Sequence, residues 1–148
     1  METINILSRG SENEQKNRRN LLDLFQHCPI PENEILSNLA LFLIRQDLSN
    51  ILFINELYQK ILKTNGVIME FGVRWGRNLA LYESLRGIYE PFNHTRKIIG
   101  FDTFEGFGSI DPKDGSDEII KEGSFNVTEG YEKYLEKILA CLENESPI

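Results

Sequence analysis

The sequence predicts an α/β chain in which a helical N-terminal stretch leads into a β-α-β unit of parallel strands. Three observations carry that reading. Apolar residues recur at helical spacing through much of residues 20–64. Two short apolar runs, Val67–Phe71 and Lys97–Phe101, have the length and flanks of buried parallel strands. Between them lie a glycine-bearing turn and an amphipathic stretch, a connection expected to cross over right-handed.

The elements follow in order. Leu21, Leu24, Phe25 and Cys28 mark one face of a first helix, which Pro29-Ile30-Pro31 stops by removing a donor and restricting the preceding backbone. From about Glu32 to Thr64 the pattern is helical again, with a break expected near Asp47–Asn50. Its apolar positions, Ile35 and Leu36 through Leu57, Tyr58, Ile61 and Leu62, are dense enough that much of the stretch must be covered. Gly66 after Thr64-Asn65 reads as a left-handed helix stop. A strand follows over Val67–Phe71, then Gly72-Val73-Arg74-Trp75-Gly76, then a helix from about Asn78 to Tyr89 with Leu79, Tyr82, Leu85, Arg86 and Tyr89 at helical spacing. The polar connection Glu90–Thr95 leads to the second strand, Lys97–Phe101. A long Gly- and Asp-rich loop runs from Asp102 to about Thr128, of a length that is functional or disordered in most domains. The last helix, about Glu129 to Glu143, aligns Tyr131, Tyr134, Leu135, Ile138, Leu139 and Leu142.

Composition narrows the class of function. The chain has 148 residues, 41% hydrophobic and 26% charged, an ordinary globular balance. Sixteen Lys and Arg against 23 Asp and Glu give a net charge of −7, which argues against a nucleic-acid partner. The basic cluster Lys16, Arg18 and Arg19 reads as a solvated helix face. The longest apolar run, Leu39–Ile44, falls far short of the ~20 residues of a membrane span. The N-terminus lacks a signal peptide's apolar segment. Cys28 and Cys141 form neither a metal spacing nor a disulfide framework. The expectation is a reduced, cytoplasmic, acidic protein that meets neither membrane nor nucleic acid.

The chemistry concentrates in Glu70-Phe71-Gly72-Val73-Arg74-Trp75-Gly76 and in Asp102. Glycines at a strand-to-helix turn let a ligand approach the backbone, and the helix N-terminus offers unpaired N–H groups to an anion. In open α/β sheets ligands sit outside the carboxyl ends of strands, where an acidic residue binds ribose hydroxyls. The separation from Gly72 to Asp102 exceeds the usual ~20 residues, which the Glu90–Thr95 connection absorbs. The bland alternative for Gly72 and Gly76 is a tight turn with helix packing. A dinucleotide fold would want glycine where Arg74 stands, so dinucleotide binding is disfavoured. Glu70 suits a cationic ligand better than a phosphate.

The pair of motifs resembles class I S-adenosylmethionine (SAM) methyltransferases. More narrowly it is similar to the macrocin O-methyltransferase-like group, with its Glu-x-Gly-Val-x-x-Gly loop and its Asp-Ser-Phe-Glu-Gly segment, here Asp102-Thr103-Phe104-Glu105-Gly106. The lead-in Glu56-Leu57-Tyr58-Gln59-Lys60-Ile61 is also similar, so the resemblance covers about residues 35–110. It implies a Rossmann-like fold with an N-terminal helical extension and SAM as cofactor. Glu70, Gly72, Val73 and Gly76 would frame the methionine end of SAM, and Asn78 would reach its carboxylate. Asp102 would take the ribose hydroxyls, with Thr103 and Phe104 near the adenine. The implied reaction is O-methylation of a small-molecule or sugar hydroxyl.

Residues 1–64 are then an N-terminal helical segment, and 65–148 the first β-α-β portion of the SAM-binding domain, truncated before the later strands. The family's metal-binding and catalytic carboxylates follow those later strands. No catalytic residue or metal ligand is therefore assigned in this chain, and any Mg²⁺ belongs to the intact enzyme. A homo-oligomer through the N-terminal helices is a further expectation. The competing reading is a non-catalytic helical interaction module or nucleoside-binding fragment.

Other candidates have bland readings. His94 precedes the second strand and falls at the amino edge of the sheet, away from any ligand, and His27 reads as a surface residue. Asp111, Asp114, Asp117 and Glu118 miss the Ca²⁺-loop pattern and read as a solvated acidic loop. Trp75 is expected to pack beneath its own loop, and Cys28 and Cys141 to serve packing.

Overall fold

The computed structural model describes residues 10–111, 113 and 121–145. The chain divides into two compact units, Met1–Asn50 and Ile51–Ile148.

The first unit is helical. α1 (Glu12–Gln26) opens on a capping box: Ser11 Oγ accepts from the Glu14 backbone N–H, and the Glu14 carboxylate accepts from the Ser11 N–H at 2.9 Å. After the Pro29–Pro31 stop come a single turn, α2 (Glu32–Ile35), and a 3₁₀ helix over Leu36–Phe42. Leu36, Leu39 and Phe42 stand three apart, the period that aligns side chains in a 3₁₀ helix. Phe42 meets Phe25 of α1 edge to face at 4.9 Å.

α3 (Arg45–Ile61) starts in this unit and continues into the second. The break therefore falls at Leu43–Ile44, not at Asp47–Asn50 as the sequence suggested. Leu43 is extended, and Asp47 sits in the first turn of α3, where the helix dipole favours an acidic side chain. Polar residues that read as an interruption are the start of a helix.

The second unit is built on two parallel strands, β1 (Ile68–Phe71) and β2 (Ile98–Phe101), in the register Ile68–Ile98 through Phe71–Phe101. α4 (Arg77–Tyr89) connects them, and α5 (Tyr131–Asn144) lies against α4. Ile54 and Tyr58 of α3 pack with Leu85 of α4 in one buried cluster; Val73, Leu79 and Leu135 form another, with Ile98, Phe104 and Tyr131 at its margin. Gly100 is small because the methyls of Leu79 and Val73 lie where its Cβ would be. On the other face of the strands Met69, Phe71 and Phe101 are exposed, with Phe71 and Phe101 stacked at 4.9 Å. Arg86 bridges the α4–α5 seam, pairing with Glu83 at 2.6 Å and with Glu143. Burial, then the hydrogen bond with Glu143, pushes Glu83 up to about 7.

At the amino edge of the strands a buried ion pair closes the unit. Arg96 is 3% exposed and donates to both carboxylate oxygens of Glu90 and to the carbonyls of Ile61, Thr64 and Gly66. Those carbonyls end α3 and its following turn, so one guanidinium satisfies groups the helix leaves open. Glu90 also accepts from the Tyr58 hydroxyl and the Asn93 amide, each at 2.8 Å. Among the described residues, no helix is long and apolar enough to cross a membrane.

Candidate functional site

The opposite, carboxyl edge of the strands holds the sequence-predicted residues. The N–H of Gly72 donates to the carbonyl of Phe101 at 3.0 Å, extending the ladder by one bond beyond the strands. The chain then curls tightly, with Gly72, Arg74 and Gly76 all left-handed at φ of 82°, 51° and 74°. Arg74 is the costly member, since only glycine visits that region without a Cβ penalty. Gly76 caps α4 and has a second constraint, because a Cβ there would collide with Leu135 of α5.

Asp102 ties this loop to the one after β2. One carboxylate oxygen accepts from the Arg74 N–H at 2.7 Å, the other from the Phe104 N–H at 2.6 Å. Glu70 projects from the α4-facing side of β1, and its Oε1 accepts from Asn78 Nδ2 at 2.9 Å. Glu70 Oε2 and Asn78 Oδ1 are buried without a hydrogen-bond partner. Such orphaned acceptors are rare in native structures and point to a missing donor. Burial raises the pKa of Glu70; the Asn78 bond opposes this and the charge of Asp102 adds to it.

The structure thus joins Glu70 to Asn78, and joins Asp102 to the backbone of Arg74 and Phe104. The Val73 side chain faces the core and offers the site only its backbone; Phe104 is half-buried against the same cluster. Thr103 is exposed and donates its hydroxyl to the Gly106 carbonyl at 3.3 Å. Trp75 packs edge to face on Tyr131 at 4.8 Å. His94 lies at the other edge beside Arg86 and Glu90, and His27 is on the surface, bonded to the Asp23 carbonyl. Among the described residues, no group of three or more His, Cys, Asp or Glu is placed to hold a metal. Asp114, Asp117 and Glu118 lie outside the described residues.

Two features escaped the sequence reading. The Arg74 guanidinium sits over the rings of Phe125, at 5.1 Å, and Trp75, at 5.9 Å. The Tyr131 hydroxyl donates to the Trp75 carbonyl at 2.9 Å. A tyrosine on a buried stripe needs a partner for its hydroxyl, and that was the available signal.

Comparison with solved structures places this arrangement. The chain is similar to CalS11, a calicheamicin methyltransferase, with 38% identity over 99% of this chain and a TM-score of 0.91. An apo structure of CalS11, described as a TDP-rhamnose 3'-O-methyltransferase of calicheamicin biosynthesis, matches 95% of the chain at 36% identity and a TM-score of 0.77. The chain spans 57% and 52% of the lengths of those two chains. No protein-family model and no curated protein matches it. The helices and small parallel sheet are similar to those of the corresponding part of CalS11.

Proposed function

We propose that this chain is the cofactor-binding part of a SAM-dependent O-methyltransferase that acts on a sugar hydroxyl. The observation that carries the reading is the 38% identity to a methyltransferase over 99% of the chain, a match that spans both motifs. The narrower likeness to the macrocin group belongs to the same proposal.

The site chemistry fits SAM. When bound, SAM supplies a methyl group already activated on a sulfonium. Glu70 Oε2 and Asn78 Oδ1 are acceptors lacking donors, so they would hold the ammonium of its methionine end. A cation there would also relieve the burial that raises the pKa of Glu70. The donor end of Asn78 is committed to Glu70, so the carboxylate of SAM would fall to backbone N–H groups at the start of α4. Gly72, Val73 and Gly76 would line the ligand with backbone. Asp102 would accept the ribose hydroxyls through the lone pairs its two amide bonds leave open. Thr103 and Phe104 would border the adenine, Phe104 by the part of its ring the core leaves uncovered.

Acceptor binding, its deprotonation and any Mg²⁺ are proposed to involve residues corresponding to the part of CalS11 that this chain does not span. Isothermal titration of the purified chain with SAM, S-adenosylhomocysteine and NAD tests the reading. The two SAM forms are expected to bind and NAD to give no heat. Silence with all three would favour a non-catalytic interaction module.

A further inference from the structure

We propose that Tyr131, at the start of α5, is a positioning residue for the cofactor loop, holding the Trp75–Gly76 peptide in the orientation SAM binding requires. This rests on the SAM reading of the site and adds a residue to it from outside both motifs.

The loop from Gly72 to Gly76 needs external support. It contains a left-handed arginine, a strained state that persists only where the surroundings over-determine it. From the cofactor side Asp102 holds it, accepting the Arg74 N–H at 2.7 Å. From behind, α5 holds it at successive points. The Tyr131 hydroxyl donates to the Trp75 carbonyl at 2.9 Å, and its ring meets the indole edge to face at 4.8 Å. One turn further on, Leu135 fills the space that Gly76 leaves by having no Cβ.

The hydroxyl bond decides which way one peptide faces. The Gly76 N–H of that peptide donates to the Val73 carbonyl at 2.9 Å, so both its ends are fixed. With the Trp75 carbonyl bonded to α5, this peptide has one orientation within the loop that would line SAM. Without the phenol, only the Gly76 N–H bond orients this peptide, and the loop loses its polar tie to α5. Burial, then the neighbouring Tyr134, raises the pKa of Tyr131, which keeps its proton on the donor at neutral pH.

Trp75 is the only tryptophan in the sequence, so its fluorescence reports on this loop without a label. SAM is titrated into the purified 148-residue chain, into Tyr131→Phe, which keeps the ring and loses the donor, and into Tyr134→Phe as the neighbouring control. The expected result is a Kd for Tyr131→Phe at least fivefold weaker than wild type, with a changed Trp75 emission before ligand is added. Tyr134→Phe should bind like wild type. Equal affinity of Tyr131→Phe and wild type overturns the proposal, whatever happens to the melting temperature. If Tyr131→Phe does not fold, p-aminophenylalanine and p-methylphenylalanine at position 131 make the same comparison, since they differ in the donor at similar size. Equal affinity of that pair is again fatal. No binding by the wild-type chain would overturn the SAM reading itself, and this inference with it.

Discussion

The two ends of the strand pair carry buried carboxylates in opposite conditions. At the amino edge Glu90 receives hydrogen bonds from Arg96, Tyr58 and Asn93, and is held down to about 2, chiefly by Arg96. At the carboxyl edge Glu70 has Asn78 on one oxygen and nothing on the other, and burial raises its pKa. Both residues are half-buried. A carboxylate whose acceptors are filled by the protein is structural, whereas one left hungry is poised for a ligand. The sheet is thus stapled at one end and kept open at the other.

The staple supplies the largest effect. Arg96→Ala would strand the Glu90 charge and open the carbonyls of Ile61, Thr64 and Gly66 together. Removing one member of a buried pair costs about 3–5 kcal/mol. Urea unfolding should show that loss in its midpoint; an unchanged midpoint would break the contrast between the two edges.

Acid should reveal the same pair. The pKa of Glu90 lies near 2 in the folded protein against 4.5 ordinarily. A depressed folded value means the contribution is fully present above the unfolded pKa and disappears as pH falls through the folded one. At about 1.36 kcal/mol per unit, roughly 3 kcal/mol should be lost between about pH 5 and 2. Glu90→Gln should flatten that part of the stability curve, and an equally steep curve would assign the acid sensitivity elsewhere.

Glu70→Gln should do the reverse. The pKa of Glu70 is raised, so its ionisation above the unfolded value destabilises the fold, and a neutral amide should leave stability at pH 7 equal or higher. SAM affinity should nevertheless fall at least tenfold, about 1.4 kcal/mol, because an ammonium loses its counter-charge. A melting temperature that drops while affinity holds would make Glu70 one more structural carboxylate.

The contrast between the edges explains how far the sequence could be read. The β-α-β unit was legible because Val67–Phe71 and Lys97–Phe101 are short, bounded apolar runs and the stripe on α4 recurs at helical spacing. Gly72, Gly76 and Asp102 were legible because turn geometry and strand ends constrain residue type strongly. The amino edge was not. Arg96 reads as an ordinary polar residue of a connection, and its partners Ile61, Thr64 and Gly66 act through carbonyls that every residue has. The start of α3 was misread because Asp and Asn favour turns and helix N-termini alike. The bond from the Arg74 amide to Asp102 was not legible, because it requires knowing that two loops meet.

The double duty proposed for Asp102 makes Asp102→Asn the mildest and sharpest test. Asp102→Ala removes both amide bonds and the ribose acceptors, so stability and SAM affinity should fall together, affinity by at least tenfold. Asparagine keeps one oxygen, which can still accept from one loop. Its amide nitrogen must face the other backbone N–H, a lost bond costing about 0.5–1.5 kcal/mol. A small drop in melting temperature is therefore expected whatever the ligand. Affinity is the discriminating measurement. If the carboxylate also binds ribose hydroxyls, the folded Asp102→Asn protein should bind SAM a few-fold more weakly, since charge-assisted acceptors are stronger than neutral ones. If it only joins the two loops, SAM affinity should match wild type once the unfolded fraction is subtracted. Asp102 would then resemble Glu90, a carboxylate filled by its own protein, and the open end of the sheet would reduce to Glu70 and Asn78.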